Sequence, residues 1–175
     1  MKEHFLYIFI FILLSSSCGQ NKNNEPGKNL SGASNTEENP QSIPGIEKIG
    51  YTDSLKLEAN ENMRFNLELF RVRTGEGLIL ILKNTSVKSA NSMTHNVVIL
   101  KSGTDLADFA DIARNAKNEQ YVPGELDSLI IAHTKLVGGG ESDTVKFKIL
   151  HKGIYDFICS YPGHWGTMQG KIVAE

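Results

Sequence analysis

From Leu55 onward, the chain consists of short apolar and β-branched runs separated by polar turn residues. The first runs alternate apolar with polar positions, as half-buried strands do, and their apolar residues are Leu55, Leu57, Phe65, Leu67 and Leu69. The run LILIL at 78–82 is continuously apolar and predicts a fully buried strand. A series of such strands is typical of an antiparallel β-sandwich.

Five later segments also have strand composition, at residues 95–100, 129–137, 144–150, 154–159 and 168–173. Together with the earlier runs they predict about eight strands, a number that suits one sandwich. One connection differs, because Leu106, Phe109, Ala110 and Ala113 recur at helical spacing within DLADFADIARNAK. This spacing predicts an amphipathic helix of about three turns between two strands.

The composition limits the size and the partners of the folded part. With 175 residues, of which 40% are hydrophobic, the chain can form one domain with a real core plus appendages. We assign that domain to residues 51–175. The formal net charge of −2 provides no broad basic field, so we expect no nucleic-acid partner.

Residues 1–17 have the features of an export signal. Lys2 is followed by the apolar run Phe5–Leu14 and by small residues that end at Cys18. Ten apolar residues are too few to span a bilayer, which needs about twenty. The segment resembles a bacterial lipoprotein signal, and this implies cleavage before Cys18 and a lipid on that residue. An ordinary secretory signal with an incidental cysteine is the alternative.

Residues 18–50 are rich in Asn, Gly, Ser, Glu and Pro and contain little that a core could bury. Ordering such a segment would cost entropy without a compensating gain, so we predict a flexible tether. About thirty residues of this kind have a mean reach of roughly 30 Å. If Cys18 carries lipid, Cys159 is the one remaining thiol, and no intramolecular disulfide is expected.

The loop CSYPGHWGTM at 159–168 places a thiol, an imidazole and a thioether within ten residues. These are soft or borderline metal ligands, and a thioether favours copper over zinc. A thiolate, two imidazoles and a weak axial Met form a blue-copper site, and His95 is a candidate for the second imidazole. Taken alone, the loop also allows a buried thiol beside a polar loop, a hydrolase nucleophile with its base, or a zinc site.

The spacing C-x4-H-x3-M, the upstream His95–Asn96 pair and the run IIAHTKLVGGGE resemble the azurins and the related auracyanins, which are bacterial blue-copper proteins of the cupredoxin family. The resemblance covers roughly residues 51–175. It implies an all-β fold, a Greek-key β-sandwich with one short helical flap, and one type I copper ion.

The resemblance also implies the ligands. Cys159 is expected to provide the thiolate, His95 and His164 the imidazoles, and Met168 a weak axial sulfur. The backbone carbonyl of Thr94 is implied as a further weak axial contact. Taken singly, Met168 could instead be a core residue and His95 a hydrogen-bonded strand histidine.

Other polar residues near the ligands have different expected roles. Asn96 is implied to join the two ligand segments by hydrogen bonds near the sulfur, which would keep the site rigid. Pro162 lacks an N–H and so limits the donors to the thiolate. His133 and His151 are expected to be solvated. No histidines are left for the further centres of a multicopper oxidase, so we do not expect an enzyme.

The resemblance implies a one-electron carrier of the cell envelope, held on the periplasmic side or surface by the Cys18 lipid. The outer edge of His164 would be the electron port, and a c-type cytochrome or a terminal reductase would be the partner. An apolar docking ring is expected from Met63, Met93, Tyr161, Pro162, Gly163 and Trp165, although Trp165 could instead pack the core. The alternative function is copper binding or delivery without an obligatory electron partner.

Overall fold

The computed structural model describes residue 39 and residues 42–87 and 93–175. Its strands are β1 (Ser54–Ala59), β2 (Leu69–Val72), β3 (Leu78–Asn84), β4 (Val98–Leu100), β5 (Ile130–His133), β6 (Ser142–Phe147), β7 (Gly153–Ile158) and β8 (Gln169–Ala174). A three-stranded sheet has the order β1-β3-β6, and a five-stranded sheet has the order β2-β8-β7-β4-β5. The predicted β-sandwich and its eight strands are confirmed for the described residues.

The pairing of the strands is mixed, whereas the sequence predicted an antiparallel sandwich. β1 is parallel to β3 and β2 is parallel to β8, while the other pairs are antiparallel. The reason is that β1 and β2, although consecutive, lie in different sheets. Each of them therefore pairs with a strand from a later part of the chain, as in a Greek key.

Strand β3 is buried on one face, so the prediction of a fully buried strand at 78–82 is wrong. Leu78, Leu80 and Leu82 are at most 1% exposed, whereas Ile79 and Ile81 are only partly buried. The outward residues of the neighbouring strands β1 and β6 are likewise exposed or partly exposed. The outer face of the three-stranded sheet thus meets solvent, which the apolar run alone did not reveal.

The apolar alternation at residues 65–69 also fails as a guide to burial. Phe65 is buried, but Leu67 is 46% exposed, and the buried residues of β2 are Phe70 and Val72. Between β1 and β2 the chain turns from one sheet to the other, with Met63 at a positive φ of 55°. This turn changes the phase of the alternation.

The five-stranded sheet is covered on both faces. Along β7, Tyr155 and Phe157 point into the main core between the sheets, whereas Ile154 and Ile158 belong to clusters on the other face. A strand that is covered on both sides is apolar almost throughout. This accounts for the nearly continuous burial of β7.

One of the outer clusters is formed by the helical connection between β4 and β5. Helix α1 (Leu106–Ala113) begins after Asp105, whose carboxylate accepts a hydrogen bond from the Asp108 N–H at 2.9 Å. Phe109 and Ala113 pack on the sheet. The predicted helix is confirmed, although its eight residues make little more than two turns. Short 3-10 helices follow at Lys117–Glu119 and Gly124–Leu129.

The other outer cluster involves the end of the segment that the sequence assigned to a tether. Ile46, in a 3-10 helix at Ile46–Lys48, is 4% exposed and packs with Ile154 and Val173. The packed part of the chain therefore begins before residue 51. Residues 1–17, Cys18 and most of the segment 18–50 lie outside the described residues. Within the described part, no helix has the length and apolar character needed to cross a membrane.

Gly170 provides a test of the packing between β7 and β8. A Cβ at this position would overlap the ring of Phe157 and would lie 2.5 Å from the carbonyl oxygen of Glu68. We expect Gly170→Ala to lower the free energy of unfolding by about 1 to 3 kcal/mol, the usual range for overpacking. Urea denaturation measures this. Gly77→Ala is the matched control, because its Cβ would have no neighbour within 4 Å. Equal stabilities of the two variants would contradict the described packing.

Candidate metal centre

The loop 159–168 joins the paired ends of β7 and β8. The ladder between these strands ends at the pair Ile158 and Gln169, and just beyond it the Cys159 N–H donates to the Met168 carbonyl at 2.9 Å. Both Cys159 and Met168 have no exposed surface. The two sulfur-containing residues therefore lie at the closed, buried base of the loop.

A tight turn directs His164 back toward Cys159. The His164 N–H donates to the Tyr161 carbonyl at 3.0 Å, and the Met168 N–H donates to the His164 carbonyl at 2.9 Å. Between them, Gly163 has a φ of +84°, which glycine adopts without strain. As a result, Nδ1 of His164 lies 3.7 Å from Sγ of Cys159.

His95 reaches the same place from a distant part of the chain. Its backbone N–H donates to the Val137 carbonyl at 3.1 Å and its carbonyl accepts from the Val137 N–H at 2.8 Å. This isolated bridge holds His95 just before β4. One ligand atom from each of His95, Cys159 and His164 lies within 4.8 Å of the other two. The structure thus brings together three residues that the sequence selected.

Hydrogen bonds between Asn96 and Ser160 join the two ligand segments, which are the segments that contain His95 and Cys159. Oδ1 of Asn96 accepts from the Ser160 N–H at 2.9 Å, and Nδ2 of Asn96 donates to Oγ of Ser160 at 2.9 Å. Both residues are almost fully buried, and each directly follows a residue of the cluster. The predicted linking role of Asn96 is confirmed by these contacts.

Burial keeps the metal-free cluster electrically neutral. It raises the pKa of the Cys159 thiol to about 11, although the backbone N–H groups of Asn96 and Tyr161 act in the opposite direction. The pKa of His95 is lowered to about 4, mainly by burial and secondly by His164, with the backbone of Asn60 opposing the shift. Burial also lowers the pKa of His164. Metal binding at neutral pH must therefore displace the thiol proton, because the thiolate is the ligand form of cysteine.

The donor set fits a copper ion. Neither ring nitrogen of His95 has a hydrogen-bond partner among the described residues, although both are buried. An unpaired buried polar atom is costly, and a metal ion would satisfy it. The neighbouring soft thiol of Cys159 and the buried thioether of Met168 favour copper over zinc.

The remaining residues named from the sequence occupy different settings. Met168 belongs to the main core cluster, so it packs the core at the base of the loop as well. Thr94 directly precedes His95 and is partly exposed. His133 and His151 are exposed, as predicted for residues that are not ligands.

The residues that flank His164 in the sequence carry no charge, although the adjoining cleft also contains charged residues of α1 and its C-terminal end. His164 is 6% exposed, and the adjoining Pro162 and Gly163 are exposed. Trp165 is partly buried against the cluster beneath α1, which agrees with the packing alternative for this residue. A cleft of about 410 Å³ separates α1 from the loop, and it is lined by Ala107, Asp108, Ala110, Asp111, Arg114, Ser160, Tyr161, Pro162, Gly163 and Trp165.

The depressed pKa of His95 predicts a pH-dependent stability of the metal-free protein. Between pH 6.5 and about 4 the unfolded chain binds a proton that folded His95 does not bind. The free energy of unfolding should be highest above pH 6.5 and fall as the pH is lowered through this window. Urea midpoints of the metal-free protein measure it. His133→Asn should keep this slope, because His133 is exposed, and His95→Asn should reduce it, leaving the part that the lowered pKa of His164 contributes. An equal slope in His95→Asn and wild type would exclude His95 as a cause.

Comparison with known proteins agrees with this geometry. Residues 51–175 match the model of the family described as copper binding proteins, plastocyanin/azurin family. Azurin from Alcaligenes faecalis is 38% identical over 122 residues, which are 67% of this chain and 94% of that protein.

An outer membrane protein and a solved auracyanin structure are also similar to this chain. Outer membrane protein H.8 of Neisseria gonorrhoeae is 36% identical over 119 residues, covering 66% of this chain but only 64% of that longer protein. The crystal structure of reduced auracyanin from Roseiflexus castenholzii superposes with a TM-score of 0.65 and 32% identity, over 72% of this chain and 99% of that one.

The family match covers the whole sandwich, and the buried His95, Cys159 and His164 lie together within it. The cupredoxin fold and one type I copper ion, both expected from the sequence, are thereby confirmed. The chain belongs to the plastocyanin/azurin family of copper-binding proteins and is a blue-copper electron-transfer protein.

Proposed function

We propose that the protein carries single electrons between redox partners at a membrane, with His95, Cys159, His164 and Met168 as its copper ligands. The carbonyl of Thr94 would be a further, weak contact to the ion. When bound, copper supplies the one-electron couple Cu(II)/Cu(I). The observation that carries the proposal is the burial of three mutually close ligand residues, of which only His164 has measurable exposure.

This burial suits electron transfer better than copper delivery. His95 and Cys159 are 0% exposed, so a second protein has no direct access to them for exchanging a metal ion. The bonds between Asn96 and Ser160 restrain both ligand segments. A restrained ligand set changes little between oxidation states, and this favours fast electron transfer. The delivery alternative requires ligands that can be displaced readily.

The docking surface that we propose surrounds the edge of His164. Met63 packs against the core cluster that contains Cys159 and Met168. Met93 is two residues before His95 and, like Met63, is partly exposed. With Pro162 and Gly163, these residues form an uncharged surface that a c-type cytochrome or a terminal reductase could cover.

Lysine substitutions at the two methionines test this surface. Met63→Lys or Met93→Lys should lower the rate of electron self-exchange at least tenfold, because burying an ammonium costs well over the 1.4 kcal/mol that equals a factor of ten. The copper absorption should not change. Leu150→Lys is the matched control, since Leu150 is an exposed apolar residue before β7, at the end opposite to the metal centre. Electron self-exchange at the wild-type rate in both methionine variants would exclude this docking surface. Rapid loss of copper from the wild-type protein to a chelator would favour the copper-delivery function.

The anchoring proposal concerns residues outside the described part of the chain. The sequence of residues 1–17 supports a lipoprotein signal, and Cys18 would carry the lipid on the periplasmic side or surface of the cell envelope. The similarity to a protein named outer membrane protein H.8 supports a location in the envelope. The segment from 18 to Ile43 would then connect the lipid to the packed domain.

Cys18→Ala separates anchoring from the copper chemistry. We expect this variant to leave the membrane fraction, since one or more acyl chains provide the proposed membrane affinity. The copper absorption of the domain should remain as in wild type, because the packed domain begins near Ile46. Fractionation followed by mass spectrometry measures the anchoring, and a visible spectrum measures the copper absorption. A wild-type protein that is recovered entirely without lipid would refute the anchor.

A further inference from the structure

Two consecutive residues near the metal centre have a left-handed backbone. Gln120 has a φ of +56° and Tyr121 a φ of +62°, and neither residue is glycine. A Cβ disfavours this conformation, so two such residues in sequence persist only where the surroundings hold them. They end the 3-10 helix that follows α1, and their conformation therefore needs a cause outside the local sequence.

The cause is a set of hydrogen bonds to the ligand segments. The Tyr121 carbonyl accepts from Oγ of Ser160 at 2.6 Å, and the Gln120 carbonyl accepts from Nδ2 of Asn96 at 3.3 Å. The side-chain Oε1 of Gln120 also accepts from the Leu136 N–H at 3.1 Å. Ser160 directly follows Cys159, and Asn96 directly follows His95. The left-handed turn thus offers two successive carbonyls to the two segments that carry the ligands.

The side chain of Tyr121 reaches the third ligand through a second ring. Its ring meets the ring of Tyr161 edge to face, with centroids 5.0 Å apart and an interplanar angle of 70°. The ring of Tyr161 lies in turn over His164, with centroids 4.7 Å apart. Tyr161 is therefore held between Tyr121 and a ligand residue. Edge-to-face pairs of this kind add stability beyond the area they bury.

We propose that Gln120 and Tyr121 are positioning residues of the copper centre. Their carbonyls restrain the segments after His95 and Cys159, and the Tyr121 ring keeps Tyr161 against His164. The inference rests on the proposed ligand set, because positioning matters only if these side chains hold the metal. It also gives the connection that contains α1 a function beyond covering the sheet, since the turn links it directly to the ligands.

The experiment compares Tyr121→Ala with Tyr121→Phe and with Tyr51→Ala. Phe keeps the ring and the carbonyl, whereas Ala removes the ring contact with Tyr161. Tyr51→Ala is the matched control, because Tyr51 is a partly exposed tyrosine that contacts Arg71, Arg73 and Glu175 away from the metal centre. The first readout is the amide hydrogen exchange rate of Ser160 in the metal-free protein. The N–H of Ser160 donates to Oδ1 of Asn96. The second is the rate at which a chelator removes copper.

We expect Tyr121→Ala to accelerate both rates by about two- to tenfold, the range that corresponds to losing one aromatic pair contact. Tyr121→Phe should match wild type, and Tyr51→Ala should leave both rates unchanged. Gln120→Ala provides a second route if Tyr121→Ala does not fold, because it removes the hydrogen bond from the Leu136 N–H to Oε1 of Gln120 and should also accelerate copper release. Equal effects of Tyr121→Ala and Tyr51→Ala, or no acceleration in Tyr121→Ala and Gln120→Ala, would overturn the proposal. Slow electron self-exchange in the wild-type protein would count against the proposed electron-carrier function. It would not affect the hydrogen-exchange and copper-release tests of Gln120 and Tyr121.

Discussion

The paired hydrogen bonds between Asn96 and Ser160 connect two parts of the chain that are 64 residues apart. On one side they fix the segment of His95, which lies just before β4, and on the other they fix the loop after β7. Because the bonds lie in the interior, they are stronger than they would be in water, and leaving either partner unpaired would be costly. The relative position of the ligand residues depends on this contact.

The centre combines this restraint with burial that is unfavourable without a metal. Both ring nitrogens of His95 are buried and have no hydrogen-bond partner in the part of the chain that the structure describes, and burial raises the pKa of Cys159 to about 11. The sandwich must therefore be stable enough to keep polar groups dry in the metal-free state. The helical connection and the segment around Ile46, which cover the outer face of the five-stranded sheet, contribute apolar burial toward that requirement.

The sequence predicts the parts of this molecule that depend on local patterns. Alternation in β1, the helical spacing at 106–113 and the ligand spacing in 159–168 all reflect contacts between neighbours in the chain. The exposure of Leu67, the one-sided burial of β3 and the packing of Ile46 depend on which sheet a segment joins. Sequence reasoning also missed Ser160 and Tyr121, because these residues act largely through backbone groups and a ring contact. Neither feature has a compositional signal.

The parallel pairing of β2 with β8 has a consequence for the order in which the molecule assembles. Leu69 pairs with Lys171, so this edge of the sheet cannot form until nearly the whole chain is available. Contacts between such distant residues form slowly. The same strand β8 closes the loop that carries Cys159, His164 and Met168. Strand β8 thus serves two purposes at once, because it completes this edge of the sheet and fixes one end of the loop that carries the candidate ligands.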